Sequence, residues 1–339
     1  MSNERRFIPV GGMVFRPSVW RGLAWLLAAA VLAGCATAER PAAKGRPTVA
    51  VSIPPQEWLV RQIAGDDVDL ITLVGPADDH HTYQPSDAQV SEVMRADVYF
   101  RLGVPFESGP WFDAIRDAGL RIVDLRRGIK LRDMEAHVHH GADHDPSHDH
   151  DHGHDGHDAE GSDPLEADSE RMGKDPHIWL TPQLLMTQLE TVAAALSDIQ
   201  PERRSHYERN LAAAVERLEQ LDVEIRQILT PMRGKAFFIF HPAWGYFADE
   251  YGLEQVAIEV EGKEPSDREL TAVLTRARRE GVQVIFVQPQ IAGQSARAVA
   301  DTLSIRVEQL DPLATDIPQA ILRAAQAIAG AYGPLAAEE

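Results

Sequence analysis

Histidine dominates the chemistry available to this chain: 14 of its 339 residues are histidine, against a single cysteine. Nine of the 14, His137, His139, His140, His144, His148, His150, His152, His154 and His157, crowd into HVHHGADHDPSHDHDHGHDGH, where imidazoles alternate with aspartates and glycines. Neutral imidazole and carboxylate are donors that zinc takes. From Ala136 to Ser169 there is almost no large apolar residue, so this stretch cannot bury a core of its own. Any chelate it forms must first order a flexible backbone, which makes it a set of weak metal-capturing groups rather than one fixed site.

The remaining five histidines are isolated from that run. His206 sits among Arg and Glu in a long helical stretch and reads as a surface residue. His80, His81, His177 and His241 each follow a predicted strand or precede a helix start, with a proline close by. Loops at the ends of strands are where α/β folds place their ligands. The separations between these four match no local metal-binding motif, so any shared site must be assembled by the fold.

The elements that would assemble it alternate. Thr48 to Ile53 (TVAVSI) is a short apolar strand ended by Pro54-Pro55, and Glu57 to Ala64 has helical character before Gly65. Strands are predicted at Val68–Val74, Asp97–Leu102, Leu120–Leu125, Lys235–Phe240, Val256–Val260 and Val282–Val287, and helices at Asp87–Arg95 and Leu270–Glu280. Pro201 to Leu229 is one long amphipathic stretch closed by Pro231, with no proline or glycine inside it, and predicts a single stiff helix. Alternation of strands and helices implies mostly parallel sheets, and the length suits two lobes. The expected class is therefore α/β: two lobes, each with a mostly parallel sheet flanked by helices, joined by one long rigid helix. No internal sequence repeat is visible.

A formal net charge of −19 argues against nucleic-acid binding, which needs a basic footprint, and is compatible with a protein that meets cations. Near the N-terminus, Arg16 and Arg21 precede the apolar run Leu23 to Leu32, which is too short to span a bilayer, and Leu32-Ala33-Gly34-Cys35 follows at once. This resembles a bacterial lipobox and makes Cys35 the expected lipidation site. The implied organisation is a leader at 1–34, a lipid-anchored tether at 35–47, an N-terminal lobe at 48–180 containing the disordered stretch 136–169, a connecting region at 181–233 with the long helix, and a C-terminal lobe at 234–335. The implied location is extracytoplasmic, in a periplasm or on a cell surface, with the lipid holding the protein to a membrane.

Five segments carry a resemblance to a known family. VGPADDHHTYQPSD (Val74 to Asp87), DPHIWL (Asp175 to Leu180), HPAWGYF (His241 to Phe247), EGKEPS (Glu261 to Ser266) and LDPL (Leu310 to Leu313) are similar, in that order, to motifs of the zinc and manganese solute-binding proteins of ABC transporters, the cluster A-I family. The likeness runs from about Val49 to Ala329, with a His-rich insertion where zinc-type members carry one. It implies a metal site in a cleft between the lobes, with His81, His177, His241 and Asp311 as ligands, two from each lobe. His80 stands where many relatives have proline or an acidic residue, and it either assists His81 as an accessory ligand or replaces it as the first ligand.

Three imidazoles and one carboxylate suit tetrahedral Zn²⁺, whereas Mn²⁺ prefers oxygen-rich shells, and manganese-type relatives have a carboxylate in place of His241. Four protein ligands leave no open position for the water that a catalytic zinc needs. The resemblance thus implies a non-enzymatic monomer that carries Zn²⁺ as transported ligand and has an ABC transporter permease as partner. A manganese-binding protein, a metal-buffering or adhesin surface lipoprotein of the same fold, and a zinc-dependent hydrolase are the alternatives.

Overall fold

The computed structural model describes residues 45–134, 174–259, 266–290, 297, 300–302 and 304–332. The expected leader, Cys35 and the nine crowded histidines lie outside the described residues. The chain alternates strand and helix: β1 (Thr48–Val51), α1 (Pro54–Ala64), β2 (Asp69–Thr72), α2 (Asp87–Val93), β3 (Val98–Arg101), α3 (Pro110–Asp117) and β4 (Ile122–Asp124) come first. Next come α4 (Pro182–Ile199) and α5 (Arg204–Leu229), followed by β5 (Ala236–Ile239), α6 (Gly245–Tyr251), β6 (Glu254–Ala257), α7 (Asp267–Arg279), β7 (Val284–Val287), β8 (Arg306–Gln309) and α8 (Ile317–Gly330).

The strands form two four-stranded sheets, in the orders β2-β1-β3-β4 and β6-β5-β7-β8, and every pairing is parallel. Parallel sheets are covered on both faces, which is why β1, β3, β5 and β7 are almost wholly buried apolar runs. In both sheets the strand order reverses beside the first strand, so the loops at the carboxyl ends of the strands frame a crevice there.

The long helix ends at Leu229 as expected, but its α-helical part begins at Arg204 rather than Pro201: a 3₁₀ turn at Pro201–Arg203 leads into α5, and a second at Thr230–Met232 ends it. It packs on α4, α1 and α8. One apolar core runs through both halves, containing Val49, Phe100 and Trp179 as well as Leu196, Leu218, Phe237, Phe286 and Ile321. A second core, with Phe238, Ile258, Ile285 and Val287, lies on the other face of the second sheet.

Several boundaries differ from the sequence reading for identifiable reasons. Helix α1 begins at Pro54, three residues before the expected Glu57, because proline at the first helical positions lacks only an N–H that would be unsatisfied there anyway. Strand β6 is Glu254–Ala257 rather than Val256–Val260, since its extent is set by pairing with Ala236–Ile239 and not by its own apolar run. Helices α2 and α7 start where Ser86 and Ser266 cap them in reciprocal capping boxes with Gln89 and Glu269.

Candidate metal centre

Three loops bring four imidazoles together. The loop after β2 is folded by its own aspartates: Gly75 N–H donates to Asp78 (3.0 Å), and His81 N–H and Thr82 Oγ1–H donate to Asp79 (2.9 and 3.0 Å). Tyr83 O–H reaches back to the Leu73 carbonyl at 2.6 Å. These bonds turn His80 inward, leaving it 1% exposed, beside a partly buried His81, with ring centroids 4.1 Å apart.

His177 is fully buried ahead of α4, in the segment Asp175-Pro176-His177. Asp175 Oδ1 accepts from both the backbone N–H of His177 (3.0 Å) and its ring Nδ1 (2.7 Å). His241 follows β5, and its Nδ1 lies 2.5 Å from Oε1 of Glu259, which is delivered by the end of β6. A buried carboxylate accepting from Nδ1 fixes the tautomer, so on both rings the lone pair is left on Nε2.

Those Nε2 atoms converge. His177 Nε2 is 3.4 Å from His80 Nε2 and 3.4 Å from His241 Nε2. Such a separation is long for an N–H···N hydrogen bond, but it is the edge of a tetrahedron whose centre holds zinc at about 2.0–2.1 Å from each nitrogen, roughly 3.4 Å. His81 completes the group: its ring is 4.5 Å from that of His241, and its Nε2 is buried without a hydrogen-bond partner. Ligand atoms of His80, His81 and His177 all lie within 4.8 Å of one another. An orphaned buried imidazole nitrogen is a cost that a bound cation would remove.

Burial, with repulsion from neighbouring rings, keeps His80, His81 and His177 neutral. Desolvation first, and then the neighbouring histidines, hold His80 well below the ordinary histidine value and push His81 down to about 2. Desolvation also lowers His177, although Asp175 opposes it. Neutral imidazoles are what a metal needs.

Asp311 lies in the loop after β8. Its Oδ1 accepts from Gln290 Nε2 (2.8 Å) and from Leu313 N–H (3.0 Å), and Gln290 also donates to the Pro76 carbonyl of the His80 loop (3.1 Å). Trp179 Nε1 donates to the Pro312 carbonyl at 2.7 Å, tying the same loop to the His177 segment. His206 is elsewhere, on α5, 3.8 Å from Asp67 and bonded to Asn210. Asp175 was not singled out by the sequence reading, although the spacing Asp-x-His was the available signal.

Two parallel-sheet halves presenting a dry nest of imidazoles define a metal-ion-binding protein. Residues 49–328 match the family described as zinc-uptake complex component A, periplasmic. A high-affinity zinc uptake system protein ZnuA of Paracoccus denitrificans is 32% identical over 84% of this chain and 89% of its own length. The zinc-binding protein AdcA of Streptococcus pyogenes is 25% identical over 81% of this chain, which spans about half, 52%, of the length of that relative. Among solved structures, one of ZnuA has a TM-score of 0.70 at 35% identity, covering 84% of this chain and 98% of that one. The chain belongs to this family of periplasmic zinc-uptake components.

Proposed function

We propose that the chain captures Zn²⁺ outside the cytoplasm and hands it to the permease of an ABC importer. The observation that carries this reading is the spacing of the imidazoles: His177 Nε2 stands at a zinc tetrahedron's edge length from two other Nε2 atoms, with the tautomers of His177 and His241 fixed by buried carboxylates. His80, His81, His177 and His241 form the shell. Asp311, which the resemblance made the fourth ligand, is in this reading a rim residue whose Oδ1 is taken by Gln290 and Leu313. Four imidazole nitrogens favour Zn²⁺ over Mn²⁺ and leave no coordination position for a reactive water, so capture and release is the chemistry supported.

In the same reading Cys35 carries the lipid, residues 35–47 tether the protein to a membrane, and the lobes are 48–180 and 234–335 around the connecting region 181–233. The His-rich stretch gathers zinc but is not the tight site.

Competition titration of the mature chain with a chromophoric chelator tests the site. Deleting 137–157 should leave about one tightly bound Zn²⁺, His80→Ala should weaken it strongly, and Asp311→Ala should change it only a few-fold. The reverse ranking returns the fourth position to Asp311, and loss of tight binding in the deletion removes the cleft as the site. Growth of a deletion strain in zinc-depleted medium tests delivery: normal growth, with no other importer present, leaves a surface metal buffer.

A further inference from the structure

One arginine joins the two halves beside the ligands. Arg132 lies in the segment after β4, just before the stretch outside the described residues, and the chain returns next to it: Asp133 and Lys174 form an antiparallel bridge and an ion pair, and Asp175 N–H donates to the Arg132 carbonyl (3.0 Å). The Arg132 guanidinium then makes contacts on both sides of the cleft. Its Nη1 is 3.2 Å from Asp175 Oδ2, the oxygen not used by His177. Its Nε is 3.0 Å from Asp249 Oδ2 on α6, the helix that follows His241. Tyr246, also on α6, accepts from the Arg132 backbone N–H (3.1 Å), donates to the Asp175 carbonyl (3.0 Å), and offers its ring to the guanidinium at 5.8 Å.

The close approach depends on Gly245. A Cβ there would stand 1.3 Å from Arg132 Nη1 and 2.4 Å from its Cζ. Gly245 does not have a left-handed backbone, so its lack of a side chain serves the guanidinium and not a turn.

We propose that Arg132 is a positioning residue for the metal site. It locks the carboxylate that orients His177 and pins that segment to α6, so that the His177 and His241 nitrogens are held at their common spacing before metal arrives. Gly245 is the space this clamp requires. Preorganising ligands in this way raises affinity without adding one, and loss of such an outer partner typically costs about 10–100-fold in metal affinity.

The inference rests on His177 and His241 binding the metal, so the experiment carries its own control. Zn²⁺ affinity of the whole mature chain is measured by chelator competition for Arg132→Ala, Arg132→Lys, Gly245→Ala, the double variant Arg132→Ala/Gly245→Ala, and His177→Ala. The expected result is an affinity loss of about 10–100-fold in Arg132→Ala, partial rescue by lysine, and a similar loss in Gly245→Ala. The double variant should be no worse than Arg132→Ala, because the new methyl then enters vacated space and its remaining contact, 3.0 Å from Asp175 Oδ2, needs only a small shift. The Co²⁺ absorption bands of the loaded protein should change in Arg132→Ala, a signature that lowered stability alone does not produce.

Affinity within threefold of the parent in Arg132→Ala, an unchanged Co²⁺ spectrum, or losses that multiply in the double variant would each overturn the proposal. Should Gly245→Ala fail to fold, the Arg132→Ala and Arg132→Lys pair decides alone. If His177→Ala keeps full affinity, the metal-site reading itself has failed, which is a different outcome from a silent Arg132.

Discussion

Asp175–His177 in the first half and Glu259–His241 in the second do the same chemistry by different routes. Each carboxylate fixes Nδ1 and leaves Nε2 for metal. In the first pair the partners are two residues apart, and the carboxylate also holds the backbone N–H of its histidine, so the pair is a local turn. In the second they are 18 residues apart, and only the parallel pairing of β5 with β6 brings the ends of those strands together. The two sheets share a strand order, yet one half encodes its support in a tripeptide and the other in its topology. Similar architecture therefore did not dictate similar motifs; the common requirement is a buried anion behind each imidazole.

The largest effects should come from the proposed ligands in each half. His177→Ala and His241→Ala each remove a nitrogen from the converging set, and a zinc left with one fewer protein ligand must recruit water. Each should weaken Zn²⁺ by more than about 100-fold, beyond the usual range for outer partners. Isothermal titration of both variants, with 137–157 deleted, checks this. Retention of full affinity by either variant would confine the site to one half and end the comparison.

Smaller but still measurable losses should separate the two carboxylates. Asp175→Asn and Glu259→Gln keep shape while removing charge, and both should cost about 10–100-fold in affinity. The loss should be greater for Asp175→Asn, because it also takes a buried partner from Arg132 and weakens the turn around His177. A larger loss for Glu259→Gln would show that the long-range pair, not the local one, sets the geometry.

What the sequence displayed follows the same division between local and assembled features. The long helix was legible because its amphipathic pattern is bracketed by Pro201 and Pro231, and His80, His81, His177 and His241 were legible as histidines at strand and helix ends. The partnership of Glu259 with His241 was hidden because the register of β5 on β6 decides it, and the Arg132 contacts because they cross from one half to the other. Strand β8, Arg306–Gln309, was missed for another reason: it is an edge strand with mostly polar, exposed residues, so it carries little apolar signal. Helix α4 lay within the expected connecting region without being drawn out, although Thr181 caps it and Pro182 begins it.

Acid should expose the cost of gathering uncharged rings in a dry place. An unfolded imidazole titrates near about 6.5, whereas His80 and His177 lie below that value in the folded metal-free protein and His81 lies at about 2. Below about pH 6.5 the unfolded chain therefore binds protons that the folded chain does not. The metal-free protein should keep its stability above that pH and lose it progressively as pH falls toward the folded-state values. Urea denaturation of metal-free protein between about pH 7.5 and about pH 5 should show this decline, reduced in His81→Ala. Stability that rises on acidification would contradict a cluster of neutral, desolvated imidazoles.

The smallest expected effect belongs to the histidine that lies outside the comparison. His206 is on the partly exposed face of α5, bonded to Asn210 and 3.8 Å from Asp67, and none of the four clustered rings contacts it. An exposed pairing of this kind contributes little, so His206→Ala should change folding stability by no more than about 0.5 kcal/mol. Its Zn²⁺ affinity should equal that of the parent within error. The measurement matters because histidine content alone would assign His206 the same role as His177. If removing it lowered tight zinc binding as His177→Ala does, the tally of imidazoles, rather than the buried carboxylates and the 3.4 Å spacing behind the clustered ones, would be governing affinity.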